Sequence, residues 1–314
     1  MRNKMLIPAA TAAALIFTGC SSAPAASPAP DKLESIFMSN PLPAYPDWAT
    51  FDECFLAHAE ELGLKADTAG PTALAVDNAF SVDRISQAIT QGYDAVLMVP
   101  VEPAQFNPLM QRAKDAGIIV GTINTADATS LQDFTVGTAY SKYGAAVAEQ
   151  IGKISDSEKL LIVTNGPGGA GEVIIEGLKE ALPANVEIVD TVFDNADASQ
   201  TADVVSRALS THPETTVIWS WQGTAVAGIT TAIKEKGAEG DVVGVVNDLT
   251  DQVVAGIREG TLYGTSKQDF CGMAETAIDN AVALSEGKEI ETNIDTGTVF
   301  VTAENLDEYL EDSK

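Results

Sequence analysis

The chain has 314 residues, 45% of them hydrophobic, and a formal net charge of −27 at pH 7. Its acidic residues are scattered rather than blocked, which reads as a well-solvated surface, and the lack of a basic footprint excludes nucleic acid as a partner. Three cysteines and two histidines, His58 and His212, have no ligand-like spacing, so no metal centre is expected.

Taken in order, the chain opens on a charged start (Arg2, Lys4), an apolar run from Met5 to Phe17, and then Thr18-Gly19-Cys20. That order is the one of a secretory signal peptide, and the run is shorter than the ~20 residues of a transmembrane helix. Residues 1–19 are therefore expected to be a signal peptide. Residues 20–30, rich in Ser, Ala and Pro, cannot build a core and are expected to form an extended linker. Roughly 290 residues remain, the size of two domains.

Leu33 to Met38 reads as a first strand and Trp48 to Leu62 as a helix closed by Gly63. A strand near Leu64 and a helix from Val76 to Gln91 follow. Ala95 to Pro100 is a continuous apolar strand, Ala104 to Ala116 a helix, and Ile118 to Ile123 the next strand. The rhythm restarts at Phe134-Thr135-Val136-Gly137. Helices at Lys142–Ile154, Ala170–Leu182, Ala198–Ser210 and Ala225–Lys236 then alternate with strands at Leu160–Val163, Val186–Phe193, Thr216–Trp219 and Val242–Val246. Leu262–Thr265 and a helix from Cys271 to Ser285 complete the set. Apolar strands between amphipathic helices indicate parallel sheets covered on both faces, so the expected fold is α/β, with two doubly wound parallel-sheet lobes. Ligands of such sheets bind outside the carboxyl ends of the strands.

One motif competes with that reading. Gly166-Pro167-Gly168-Gly169-Ala170-Gly171 fits the dinucleotide pattern between a strand and a helix, with Asp190 and Asp194 about 20 residues onward. Against it, the motif sits in the second half, and Pro167 removes a backbone donor. The preferred reading is a loop of close backbone approach, with Asn165 as a polar contact and no cofactor. The alternative is an exported dinucleotide-dependent oxidoreductase. No nucleophile, base and orienting group stand together: Cys54 and His58, one helical turn apart, read as neighbours on a helix surface, so no catalytic residue is expected.

The segment Phe17-Thr18-Gly19-Cys20 resembles a bacterial lipobox, with Phe17 where Leu is more usual. The resemblance implies lipidation of Cys20 and an extracytoplasmic protein, in the periplasm or on the cell surface, held to the membrane through the lipid alone.

Three further segments resemble the sugar-type periplasmic binding proteins, the ribose-binding-like receptors of ABC importers. They are Gln91-Gly92-Tyr93-Asp94-Ala95-Val96, then Leu97-Met98-Val99-Pro100-Val101-Glu102-Pro103-Ala104 with Ala113 to Ile118, and Ile294 to Thr302 with Asn305-Leu306-Asp307-Glu308-Tyr309. The resemblance implies a hinge of three crossings, near Thr125-Ala126, Gln268-Asp269 and Thr292-Asn293. Lobe 1 is then 31–125 plus 269–292, and lobe 2 is 126–268 plus 293–314. It further implies ligand contacts from Tyr45 and Trp48 as stacking aromatics, and from Asn124, Trp219, Trp221, Gln222, Asn247, Asp248 and the hinge glutamine Gln268. Ile174 stands where the family places an arginine, and Asn124-Thr125 where it places an Asp-Arg pair.

Neutral amides and indoles in place of those charges point to a small neutral hydroxylated ligand, a monosaccharide or polyol. The expected partners are that ligand and an ABC permease with its ATPase, the receptor itself being a monomer. A signalling receptor for a furanosyl autoinducer is the other binding-class reading. Cys54 and Cys271 fall on the first and last helices of lobe 1. An exported chain is disulfide-permissive, so a bridge between them is expected.

Overall fold

The computed structural model describes residues 32–124, 131–195 and 197–311. The expected signal peptide, Cys20 and the whole of the linker lie outside them. In chain order the first lobe begins with β1 (Ser35–Ser39), α1 (Pro46–Glu61), β2 (Lys65–Ala69), α2 (Asn78–Gln91), β3 (Ala95–Met98), α3 (Pro103–Asp115), β4 (Ile119–Ile123) and β5 (Phe134–Gly137). The second follows with α4 (Tyr140–Ile151), β6 (Glu158–Thr164), α5 (Gly169–Glu180), β7 (Val186–Phe193), α6 (Ala198–Thr211), β8 (Val217–Ser220), α7 (Val226–Glu235), β9 (Val243–Asn247), α8 (Asp251–Glu259) and β10 (Leu262–Gln268). The chain closes with α9 (Phe270–Ser285), β11 (Asn293–Asp295), β12 (Thr298–Thr302) and α10 (Leu306–Glu311).

Helix starts follow local chemistry. Pro46 fixes the first turn of α1. Asp77 and Asp269 cap α2 and α9 by accepting from Phe80 N at 2.9 Å and Gly272 N at 2.8 Å. Helix α8, which the sequence reading passed over, is capped by Thr250.

Two six-stranded sheets result, in the orders β11-β5-β4-β3-β1-β2 and β12-β10-β9-β8-β6-β7. All pairs are parallel except β12 on β10. Each sheet is covered on both faces, which is why β3 and β8 are buried end to end. In the first lobe Phe51 and Phe55 of α1 pack with Ala277 and Ile278 of α9 on one face, and Ile85, Phe106 and Met110 fill the other. Cys54 and Cys271 join α1 to α9 in a disulfide, with Cα atoms 5.3 Å apart.

Two lobe boundaries differ from the sequence expectation. That reading gives 134–137 and 293–295 to lobe 2. Instead β5 pairs with β4 (Gly121↔Phe134) and β11 pairs with β5 (Asn293↔Thr135), so both extend the first sheet. Of the expected crossing, Thr125 and Ala126 lie outside the described residues. The chain passes between sheets after Gly137, after Gln268 and after Asp295. An apolar strand carries no sequence mark of which sheet it joins; register decides.

The second lobe depends on one close helix crossing. A Cβ on Gly144 of α4 would come within 2.0 Å of the Ile174 carbonyl oxygen, and one on Gly177 of α5 within 2.2 Å of the Ser141 carbonyl oxygen. Alanine inside a helix ordinarily gains ~0.5–1 kcal/mol over glycine. Here Gly144→Ala is expected to cost about 2–3 kcal/mol by forcing the helices apart. A urea denaturation curve measures it; an unchanged midpoint would refute the contact.

Candidate functional site

The carboxyl ends of the two sheets face each other, and both lobes line a cavity of about 810 Å³. Val99, Val101 and Asn124 come from the first lobe, and Tyr140, Asn165, Gly168 and Trp221 from the second. Thr138 and Asn293 to Asp295 supply the hinge side. Another depression, about 520 Å³, runs along β7 and α6 and is lined by one lobe only. The two-lobed cavity is therefore the candidate.

Its polar groups are held by short loops at strand ends. Asn124, just after β4, has φ 50°, a left-handed conformation that asparagine tolerates better than most residues. Its side-chain oxygen accepts from Thr138 N at 3.4 Å, and its carbonyl accepts from the Tyr140 hydroxyl. Trp221, just after β8, donates from Nε1 to Thr164 Oγ1 at 3.0 Å. Its indole lies against Gly171, where a Cβ would sit 2.8 Å from Nε1. Gly166 and Gly168 carry φ of 147° and 90°. The glycines of the dinucleotide-like motif thus serve a turn and a seat for an indole. Asp194, a candidate ribose acid in that reading, is buried and accepts from Thr201 Oγ1 at 2.9 Å, within the second lobe.

Beside the cavity lies a buried polar centre that bridges the lobes. The Tyr45 hydroxyl donates to Asp248 Oδ2 at 2.6 Å. Asn247 Nδ2 and Gln268 Nε2 donate to Asp248 Oδ1 at 2.7 and 3.5 Å. Tyr143 donates to Asn247 Oδ1 at 3.0 Å, and Thr138 to Gln268 Oε1 at 2.9 Å. Burial, with the charge of Asp47 adding to it, pushes the Asp248 carboxyl up to about 8. Burial also raises Asp47, on the first turn of α1, against a hydrogen bond with Asp248 and the pull of Lys267. The Tyr45 and Tyr143 phenols are raised above their ordinary range, first by burial and then by the Asp248 charge.

A pH dependence follows. A carboxyl raised in the folded, bridged state binds its proton more tightly there than in the unfolded chain, where it titrates near ~4. Its stabilising effect is complete below that value and is lost as pH rises through about 8. Asp47 acts in the same direction. The melting temperature is expected to fall by several degrees between pH 5 and pH 8, and Asp248→Asn should flatten the slope. A scanning calorimetry series checks this; equal slopes for the two proteins would refute it.

Of the residues expected to bind, Asn124, Asn165 and Trp221 line the cavity. Tyr45, Asn247, Asp248 and Gln268 form the bridging centre instead. Three expectations are corrected. Trp48 is held in the first core, edge-on to Phe270 at 5.1 Å. Trp219 has no exposed surface and shares the inner face of β8 with Val217, in the core under α4 and α5. Strand alternation sends residues 217 and 219 to one side. Gln222 is buried and does not line the cavity.

Tyr140, Thr138, Lys142 and Asp295 were missed. Lys142 Nζ and Asp295 Oδ2 pair at 3.0 Å, so the cavity's cation is neutralised. Their signal was the strand assignment: once 134–137 is on the first sheet, residues 138–142 are the cleft crossing. Ile174, in the place of the family arginine, is buried in the α4–α5 core. Among the described residues no group of three or more His, Cys, Asp or Glu is placed to hold a metal.

The chain is similar to known proteins over most of its length. A D-ribose/D-allose-binding protein of Pseudomonas aeruginosa is 24% identical over 241 residues, 72% of this chain and 75% of the relative. A xylitol-binding protein of Mycolicibacterium smegmatis is 24% identical over 243 residues, 75% of this chain and 68% of the relative. Among solved structures, an ABC transporter solute-binding protein of Burkholderia graminis in complex with D-arabinose superposes with a TM-score of 0.78 at 24% identity, covering 89% of this chain and 98% of that one. A glucose-galactose binding protein of Geobacillus stearothermophilus gives a TM-score of 0.80 at 18% identity, over 88% and 99%. Both likenesses bear on the fold. The model of the periplasmic binding protein domain matches residues 36–289, and the chain belongs to that family.

Proposed function

We propose that this protein is the extracytoplasmic receptor of an ABC importer, a monomer anchored through a lipid on Cys20. It closes two lobes over a small neutral hydroxylated ligand, a monosaccharide or polyol. The observation that carries the reading is the composition of the two-lobed cavity. It offers one anchored indole face, the neutral amides of Asn124 and Asn165, and a single cation already paired with Asp295. An indole face suits the C–H side of a sugar ring, and amides suit its hydroxyls. A carboxylate or phosphate ligand would want an unpaired cation there.

The relatives named for ribose or allose and for xylitol support this ligand class. The oxidoreductase and autoinducer-receptor readings draw no support from them, and the glycine motif is accounted for without a nucleotide. With Trp48 and Trp219 in cores, Trp221 is the tryptophan that reports the cavity. A fluorescence titration of residues 21–314 with pentoses, hexoses, polyols and a nicotinamide control tests the proposal. Saturable quenching by one hydroxylated compound, absent in Trp221→Ala, is expected. Response to nicotinamide alone would overturn it.

A further inference from the structure

We infer that Tyr45 is a specificity-determining residue: its phenol fills the hydroxyl-binding position formed by Asp248 and Gly223, and so confines the ligand to the adjoining cavity beside Trp221. This rests on the receptor reading above and says which part of the cleft the ligand cannot use.

Four observations converge. Tyr45 reaches across from the first lobe to Asp248 of the second, with its hydroxyl 2.6 Å from Oδ2. Gly223, which follows Gln222 after β8, leaves room for that hydroxyl: a Cβ there would lie 1.9 Å from Tyr45 Oη and 3.0 Å from Cζ. The backbone of Gly223 is not left-handed, so close approach and not chain conformation is what glycine provides. Third, Asp248 is already engaged by its own chain, by Tyr45 on Oδ2, by Asn247 and Gln268 on Oδ1, and by a hydrogen bond with the Asp47 carboxyl of the first lobe. Fourth, the cavity lining stops short of Tyr45, Gly223 and Asp248.

The phenol is also fixed in place. Tyr45 is the residue before Pro46 at the start of α1, its N–H bonds the Leu42 carbonyl at 2.9 Å, and the residue is buried. It therefore acts as a built-in hydroxyl rather than as the stacking face that its residue type suggests. A ligand with an extra hydroxymethyl arm aimed at Asp248 meets the phenol instead. Selection against the longer ligand follows from occupancy, with no repulsive charge needed.

The test compares wild type, Tyr45→Phe and Tyr45→Ala by calorimetric titration with xylitol against sorbitol and D-ribose against D-glucose. Small-angle scattering of the ligand-free proteins accompanies it. Tyr45→Ala is expected to raise affinity for the six-carbon compound relative to the five-carbon one by 10-fold or more (about 1.4 kcal/mol). Tyr45→Phe, which removes one atom and frees Asp248 Oδ2, should shift the ratio the same way by a smaller factor. Loss of the bridge should enlarge the ligand-free radius of gyration in both variants. A merely structural tyrosine would weaken every ligand alike and leave the ratio unmoved; a ratio within twofold of wild type in both variants overturns the inference. If wild type binds none of the four, the receptor reading fails on its own, and scattering decides the bridge: an unchanged radius for Tyr45→Phe overturns it.

Discussion

Replacing Cys54 and Cys271 together by serine should lower the stability of the protein by as much as about 5 kcal/mol, the loop-closure value for so long a connection. The bridge spans 217 positions in sequence, and nearly the whole second lobe lies inside the closed loop. Its position gives the loss a specific form. Helix α9 belongs to the first lobe, yet it is made only after the chain has travelled through β10 of the second sheet and back. It packs on α1 through Phe270, Ala277 and Ile278 against Trp48, Phe51 and Phe55. The disulfide ties that returning helix to the helix laid down first, so its removal releases α9 and exposes the core it covers. Urea unfolding of the double variant, and of wild type in dithiothreitol, should show the same lowered midpoint. Thiol titration of unfolded, unreduced wild type should find neither of the two cysteines reactive. A loss below about 1 kcal/mol would mean that apolar packing alone holds α9.

The fold was legible because its strands are buried on both faces. Runs such as Ala95 to Met98 and Val243 to Val246 announce covered parallel strands, and Gly92 marks a helix end with a left-handed cap. Sheet membership was not legible. Phe134 to Val136 reads alike whether it opens a second sheet or closes the first, and the register Gly121↔Phe134 is a tertiary fact. That one ambiguity moved a hinge crossing and concealed Thr138, Tyr140 and Lys142 as cleft residues. Helix α8 was passed over although its nine residues bury Val253, Gly256 and Ile257 at the i, i+3 and i+4 spacing of a helix.

The site divides in a similar way. Asn124 and Trp221 were named through the family resemblance and Asn165 beside its glycine loop, and all three line the cavity from positions just after strand ends. What a strand-end residue does there depends on what faces it from the other lobe. Asp248 looks like a ligand acceptor until Tyr45, 203 residues earlier, is found donating to it. Gly223 carries no recognisable motif, and its role emerges only from the 1.9 Å that a Cβ would leave to the phenol. Gly171 was noticed as part of a nucleotide-like pattern, although its function is to seat an indole.

Trp221→Ala should weaken ligand binding by about 30- to 150-fold while leaving the fold intact. Covering part of an indole's ~150–250 Å² at ~25 cal/mol per Å² corresponds to about 2–3 kcal/mol. The residue is half-buried, its ring wedged on Gly171 and its Nε1 bonded to Thr164, so the face is fixed before the ligand arrives and little ordering is left to oppose binding. Trp221→Phe keeps an aromatic face but drops the bond to Thr164, and should weaken binding by about 3- to 10-fold. Gly171→Ala should behave like Trp221→Ala in binding, because its Cβ would stand 2.8 Å from Nε1 and 3.1 Å from Thr164 Oγ1 and turn the indole out of place. The other two tryptophans give the opposite pattern. Trp219→Ala empties a fully buried site between β8 and the α4–α5 pair and should cost about 3–5 kcal/mol of stability. Trp48→Ala does the same beside Phe51 and Phe270. Calorimetric titration and urea unfolding on the same five variants separate the two classes. Binding lost with stability kept marks the cavity wall, and stability lost first marks the core. If Trp221→Ala binds the wild-type ligand within threefold, the indole is not a wall of the site, and the amides of Asn124 in the first lobe and Asn165 in the second would have to carry recognition.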